Sequence, residues 1–503
     1  MKKIIRITAL ILLICLISAA FCACGGDEES TEAESSEVSA PKKELFAGLP
    51  DVNYGGVDFV ILVPGDSFGT YASIEIMPQE TSPLVLNDEI IKRNELVESR
   101  FGVKISEVRT ESKENMVSLV RTEALSPTGA YDLVMPYIPD AATLAMEQSI
   151  LPLNDLEYLD LEHECWDKNA TEALSIGNKN YFVTGDISLL ALACTHAIAF
   201  NKDVLDKAGL ESPYDLVSSD EWTIDKLSEM ASKITADTDG QPGMSCKDTY
   251  GFLINSNFTT SMFIGAGENL TLKNADDIPY LAVDSTSAAT VFGKIFDLIN
   301  DANCTGKIDD TTGTYYSTAS AGGGSVWTAA TESVANGNAL FRAMAIIDLI
   351  DLGTYDCRFG VLPVPKLDKN QEGYRSLVST LYATCVAIPY SSYNPEKASI
   401  IAQALCEAST DTTKNAYYNV ILKLRKIQDD ESEAMLDLIF GGRVYEPGIV
   451  YNWGGTSTYD SNSVGNFLNK IAFSGTQTFS STLDSIKDMI NSDIAETVDA
   501  FSD

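Results

Sequence analysis

Val57 to Val63 (VDFVILV) is a β-branched apolar run that stops at Pro64-Gly65-Asp66. Its near-continuous hydrophobicity predicts a strand buried on both faces. Asn87 to Phe101 then places Ile90, Val97 and Phe101 on one face with acidic residues in the first turn, a surface helix. Val103 to Val108 follows as a second strand, and another helical stretch leads to Tyr131-Asp132-Leu133-Val134-Met135, a third short strand ending at Pro136. Strand, helix, strand, helix, strand is the βαβ order of a parallel sheet, so the fold class is α/β. Ligands in such sheets bind beyond the carboxyl ends of the strands, which directs attention to Tyr137.

The N-terminus constrains the compartment. A basic start (Lys2, Lys3, Arg6) runs through the apolar stretch Ile7 to Ala20 to Ala23-Cys24, then breaks into Gly25-Gly26-Asp27-Glu28-Glu29. That is the layout of a secretory signal, too short for a spanning helix, which needs about 20 apolar residues. The cysteine at the cleavage point resembles the lipobox of bacterial lipoproteins, although Phe21 stands where the pattern prefers Leu; ordinary cleavage without lipid is the alternative. Residues 1–23 are thus expected to be signal and Cys24 to carry the lipid. Residues 24–44, almost devoid of large apolar side chains, form an acidic Ser/Glu-rich tether that cannot offset its ordering entropy. The expected location is the extracytoplasmic face of a bacterial membrane.

About 460 residues remain beyond the tether, ample for large cores. Loss of three basic signal residues takes the formal charge from −37 to −40. With no Lys/Arg cluster, such a field excludes nucleic acid as partner and leaves a neutral or cationic ligand. Cys194, Cys385 and Cys406 lie in apolar contexts and are read as core, whereas Cys246 and Cys304 lie in polar stretches and could pair. No spacing matches a zinc site, His163-Glu164-Cys165 lacking a second ligand group. Asp237-Thr238-Asp239-Gly240 looks like part of a calcium loop, but Thr235 and Cys246 occupy ligand positions, so a polar turn is expected. Neither metal nor cofactor is expected.

Further on, Tyr181 to Asp186 leads to Ala197-Ile198-Ala199-Phe200-Asn201-Lys202, and a helical piece, Asp203 to Ala208, ends at Gly209. Thr223 is predicted to cap a helix, with Trp222 and Leu227 as hydrophobic staple, which makes Trp222 scaffold. Thr384 to Pro389 reads as a buried strand, Pro395 to Ala408 as an amphipathic helix, and Thr482 to Ile494 as a closing surface helix.

The order and spacing of several pieces resemble the extracellular solute-binding proteins of bacterial ABC importers, in particular the carbohydrate-type group. They are Asn87-Asp88 through Asn94, Tyr131 to Val134 leading to Leu151-Pro152-Leu153, Tyr181 to Asp186, Phe200-Asn201-Lys202, Ala208-Gly209-Leu210, Glu221-Trp222-Thr223, Gly337 to Phe341, and Phe359 to Pro363. The resemblance implies a two-lobed, periplasmic-binding-protein-like fold (type II) whose lobes, joined by a multi-crossing hinge, close on a ligand. By analogy the first crossing falls near Val183 to Leu192. Lobe 1 would hold residues 45–185 with a return segment at about 378–415, and lobe 2 residues 190–375 with a C-terminal segment at about 416–503. The implied function is capture of a sugar or oligosaccharide by a monomer and its delivery to membrane permease subunits, without catalysis. A surface-anchored glycoside-active enzyme and a ligand-presenting sensor or adhesion module are the alternatives.

Sugars offer C–H faces to aromatic rings and hydroxyls to carboxylates, amides and guanidinium groups. The candidate contacts are accordingly Tyr137 past a strand end, Asp186 in the first crossing, Trp327 after the triple glycine, and Arg342 at a turn after Leu340-Phe341. Tyr451 and Trp453 join them from a loop judged too polar and Gly-rich to be core. The two histidines, His163 and His196, sit in no nucleophile motif.

Cys24→Ser should release the protein into the medium or leave it unprocessed, as read by fractionation and mass of the N-terminus. Normal cleavage with unchanged membrane retention would contradict lipidation at Cys24.

Overall fold

The computed structural model describes residues 44–502 apart from 112–114, 423–429, 457–459 and 461. The signal, Cys24 and nearly all of the tether lie outside the described residues. Leu45 to the C-terminus forms one compact unit. Among the described residues no helix is long and apolar enough to cross a membrane.

The strands are β1 (Val57–Val63), β2 (Val103–Arg109), β3 (Leu133–Val134), β4 (His196–Asn201), β5 (Tyr250–Ile254), β6 (Thr271–Lys273), β7 (Pro279–Leu281), β8 (Thr305–Lys307), β9 (Ala339–Ala345), β10 (Phe359–Leu362), β11 (Ser376–Leu377) and β12 (Arg443–Val444). Two sheets carry the lobes. One is parallel in the order β2-β1-β3, with Val57 opposite Val103 and Val63 opposite Arg109. The other is mixed, β10-β4-β9-β5-β8, antiparallel on the β10-β4-β9 side and parallel on the β9-β5-β8 side.

β1 occupies its predicted span and is buried from Phe59 onward apart from the half-buried Val60; Val57 and Asp58, at its N-terminal end, are exposed. The helix after it spans Leu84–Phe101 and ends at Gly102, whose φ of 61° supplies the left-handed cap that turns the chain into β2. A Cβ at Gly102 would also strike the Asn53 side chain at 2.2 Å. Thr223 caps helix Ile224–Ser232 through the Lys226 N–H, and the buried Trp222 indole donates to the Pro363 carbonyl at 2.9 Å. The closing helix is longer than its periodicity indicated, Phe479–Ser502.

Thr384 to Pro389 makes paired contacts rather than a regular strand. Val134 and Ala387 exchange two backbone hydrogen bonds of 3.0 Å, and Val183 and Val386 exchange two more at 3.1 and 2.8 Å. The returning chain is thereby sewn between β3 and Val183. Helix Pro395–Ser409 then packs on helix Leu84–Phe101.

Next to this seam lies Glu75, fully buried. The Leu190 N–H donates to its Oε1 at 3.0 Å, Thr384 Oγ1 donates to the same oxygen, and Ser73 Oγ donates to Oε2 at 3.3 Å. Arg93, also buried, donates to the Glu75 carbonyl at 2.7 Å. One side chain thus joins the loop after β1, the helix at Leu189–Ala193 and the return segment.

All seven described cysteines are free thiols, so Cys246 and Cys304 do not pair; Cys304 is buried rather than set in a polar loop. Burial pushes the Cys194, Cys385 and Cys406 thiols up, as core positions require.

Burial pushes the Glu75 carboxyl up to about 7, against the pull of Thr384, Leu190, Ser73 and Arg93. A carboxyl raised on folding stabilises below its unfolded value, and that contribution is lost as pH climbs through the folded one. Stability should therefore decline between pH 5 and 8. In Glu75→Gln the decline should be shallower by up to about 3 kcal/mol, measured as urea midpoints against pH. Parallel curves would show that Glu75 is not the titrating group.

Candidate functional site

Two chain passes lie side by side between the sheets. Ser379 N–H donates to the Cys194 carbonyl at 2.9 Å, and Ile346 N–H to Thr195 at 2.9 Å, so residues 193–195, 346–347 and 378–379 converge. Beside them is a cavity of about 90 Å³ that opens to solvent. Its lining combines Pro139 after β3, His196 on β4, Thr260 on helix Phe258–Gly265, the pass Leu377–Leu381, and Asn452, Ser463, Asn466 and Asn469 from the C-terminal region.

Among the described residues the lining is amide, hydroxyl, imidazole and aliphatic, with no carboxylate, ammonium or guanidinium. Its one titratable side chain is kept neutral: burial pushes His196 down to about 4, and its ring stacks on Phe258 at 4.6 Å. His196 Nδ1 and Thr380 Oγ1 are buried without a hydrogen-bond partner. A buried polar atom without a partner costs about 1–3 kcal/mol, which a ligand hydroxyl would recover.

An aromatic cluster stands next to Leu381. Tyr71 and Tyr382 stack at 4.2 Å and 10°, and Tyr137 meets Tyr382 edge-on at 5.6 Å while its hydroxyl donates to the Tyr71 carbonyl at 2.8 Å. Beyond burial, Asp348 raises the Tyr71 hydroxyl, which places that carboxylate of the second sheet's side near the rings.

The six sequence candidates distribute unevenly. Tyr137 is buried in the tyrosine cluster. Asp186 is buried and engaged internally, accepting from Thr410 Oγ1 at 2.7 Å and paired with Lys414 at 2.8 Å; burial nevertheless pushes its carboxyl up. Arg342 lies within β9 rather than at a turn, 4% exposed, donating to Thr331 Oγ1 at 2.6 Å, with its Nε unpartnered. Trp327 is 48% exposed on helix Val326–Ala335, one turn before Thr331.

Tyr451 and Trp453 correct the reading of their loop. Trp453 is 1% exposed and its indole donates to Thr497 Oγ1 at 2.9 Å. Tyr451 stacks on it at 5.6 Å and meets Phe501 edge-on. Helix Phe479–Ser502 covers both rings, so the loop is core despite its glycines. Only Asn452 between them reaches the cavity, held at φ 53°.

Of the lining, sequence reasoning offered the amide of Asn452 and missed His196, Thr260, Thr380, Asn257, Asn466 and Asn469. The one local signal was Thr195-His196, a polar pair inside an apolar stretch. Asp237, Asp239 and Asp248 are the one group of three potential metal ligands among the described residues. Asp248 already accepts from the Thr238, Asp239 and Ser245 N–H groups at 2.7, 2.9 and 2.7 Å, the arrangement of a self-satisfied polar turn.

Trp453→Ala should lower stability by about 3–5 kcal/mol, the cost of emptying a core aromatic site. Thr380→Val should leave the unfolding midpoint unchanged or raised, because it removes an unpartnered hydroxyl, yet should weaken ligand binding. A strongly destabilised Thr380→Val would mean that the hydroxyl is a structural group.

The description of the bacterial extracellular solute-binding proteins matches residues 95–421. No curated protein matches in sequence. Among solved structures, the maltose/maltodextrin-binding domain from Bdellovibrio bacteriovorus bound to maltotriose is similar at TM-score 0.53 and 14% identity, covering 87% of this chain and 100% of that one. The maltose-binding periplasmic protein from Listeria monocytogenes in complex with maltose gives 0.53 and 12%, with 87% and 98% covered. An ABC substrate-binding protein from the same organism in complex with cycloalternan gives 0.52 and 15%, with 88% and 99% covered. These likenesses are of fold, the two-lobed α/β architecture; the family match spans well over half of the 503 residues, and the chain belongs to the bacterial extracellular solute-binding proteins.

Proposed function

We propose that this protein captures a neutral sugar or oligosaccharide between its lobes, outside the cytoplasm, and delivers it to the permease subunits of an ABC importer. The observation that carries the reading is the uncharged lining of the cavity in a chain of formal charge −37. Amides and hydroxyls offer both donors and acceptors, as sugar hydroxyls demand, and the stacked Tyr71–Tyr382 pair offers ring faces for C–H surfaces. Sugar-bound relatives of the same fold support the choice.

The protein binds and does not catalyse in this reading. Lobe 1 comprises residues 45–185 with the return at about 378–415, lobe 2 residues 190–375 with the C-terminal segment, and the hinge is centred on residues 193–195 and 378–380. Tyr137 positions the tyrosine stack, and Arg342 and Trp327 belong to the facing wall. Cys24 anchors a monomer to the membrane by lipid, and the tether lets the lobes reach the permease.

A thermal-shift screen of mono- and oligosaccharides, followed by scattering, tests this. At a hundredfold excess over Kd a true ligand adds about 2.7 kcal/mol of stability. The same ligand should reduce the radius of gyration as the lobes close. Stabilisation only by charged amino acids or peptides would contradict the sugar assignment.

A further inference from the structure

The interlobe cavity does not end at its asparagines. Asn257, Asn466 and Asn469 also line a second, open cavity of about 420 Å³, whose other walls are Ser256, Asp309, Asp310, Thr311, Lys470 and Phe473. Helix Phe467–Ser474 explains the continuity. Asn466, Asn469, Lys470 and Phe473 follow the spacing i, i+3, i+4, i+7, one face of the helix, while Phe467, Leu468 and Ile471 are buried. The stripe begins in the first cavity and finishes in the second.

Each wall is held in place. Asn469 Oδ1 accepts from Thr260 Oγ1 at 2.9 Å and from the Thr260 N–H at 3.1 Å, which fixes the helix against helix Phe258–Gly265. Asp309 accepts from the Ser256 N–H at 2.9 Å and from Ser256 Oγ at 2.6 Å, fixing the opposite wall. The Lys307 ammonium lies 5.4 Å from the centroid of the half-buried Phe473 ring. That ammonium sits over one face of the ring, and the second cavity itself presents Phe473 with the Asp309 and Asp310 carboxylates and the Lys470 ammonium. That combination suits a sugar ring, whose hydroxyls donate and accept around an apolar face.

We propose that the two cavities form one groove and that the ligand is a linear oligosaccharide, its first units in the interlobe cavity and a further unit lying along helix Phe467–Ser474 against Phe473 and Asp309. This rests on the carbohydrate reading above and adds to it a minimum length and a direction. The asparagines sit where one unit ends and the next begins; Asn469, held by Thr260, is a fixed wall there, and Asn257 lines both cavities beside it.

Calorimetric titration with a panel of glucose, galactose, mannose and xylose oligomers, α- and β-linked, from one to five units, tests the groove on the wild type, Phe473→Ala and Asp309→Asn. In the wild type, affinity should rise by about tenfold on adding the unit that reaches Phe473. Phe473→Ala should abolish that increment while binding shorter oligomers as the wild type does; Asp309→Asn, nearly isosteric, should reduce it with the fold intact. Length-independent affinity in the wild type, or a Phe473→Ala loss equal for every length, would overturn the extended groove and leave the sugar reading standing. Absence of binding across the whole panel to the folded wild type would overturn the sugar reading and the groove with it.

Discussion

Glu75 is a carboxyl withdrawn from water at the point where three stretches of chain meet. Left without partners, such a group would cost several kcal/mol. Hydrogen bonds from Leu190, Thr384 and Ser73, with the Arg93 guanidinium nearby, meet that demand. The Ser73 bond is local, but those of Leu190 and Thr384, which share one carboxyl oxygen, require the return segment to lie against the helix at Leu189–Ala193. The position of Thr384 in turn fixes Tyr382 on the tyrosine stack and Thr380 at the cavity wall. The lining of the candidate site is in this sense a consequence of satisfying one buried acid.

Charge is distributed with the same economy. The buried Asp186 is paired with the partly exposed Lys414, and the largely buried Asp167 takes both Arg443 at 2.9 Å and the Tyr445 hydroxyl at 2.8 Å. Buried pairs gain little net stability but are costly to break, so they hold segments in register. The cavity between the sheets excludes such groups. Neutral donors and acceptors there exchange hydrogen bonds with a hydroxylated ligand without stripping water from a charge. The acidic exterior meanwhile keeps phosphates and anionic headgroups away.

Much of the scaffold was legible because its signals are local. The span of β1, the Gly209 and Thr223 caps and the buried Trp222 follow from a few neighbouring residues each. Trp453 shows where local reading ends. Gly454 and Gly455 suggested an open loop, but the helix that covers the indole begins at Phe479, and nothing near Trp453 announces it. Arg342 was placed at a turn because Leu340-Phe341 alone looked like a strand, whereas β9 continues to Ala345 opposite His196. The stripe Asn466, Asn469, Lys470, Phe473 is visible in sequence, yet polar residues at helical spacing describe a solvated face equally well. Only the position of Thr260 and Asp309 across from it turns that face into a wall.

The central claim is that ligand is held at the convergence of residues 193–196, 377–381 and 463–469, with Asn452 beside them. Hydrogen–deuterium exchange of the full-length protein with and without a stabilising oligosaccharide tests it most directly. The account predicts protection concentrated in those three segments, with the outer faces of both sheets unchanged. Protection confined to surface away from the cavity, such as the helix Lys202–Ala208, or none at saturating ligand, would contradict it.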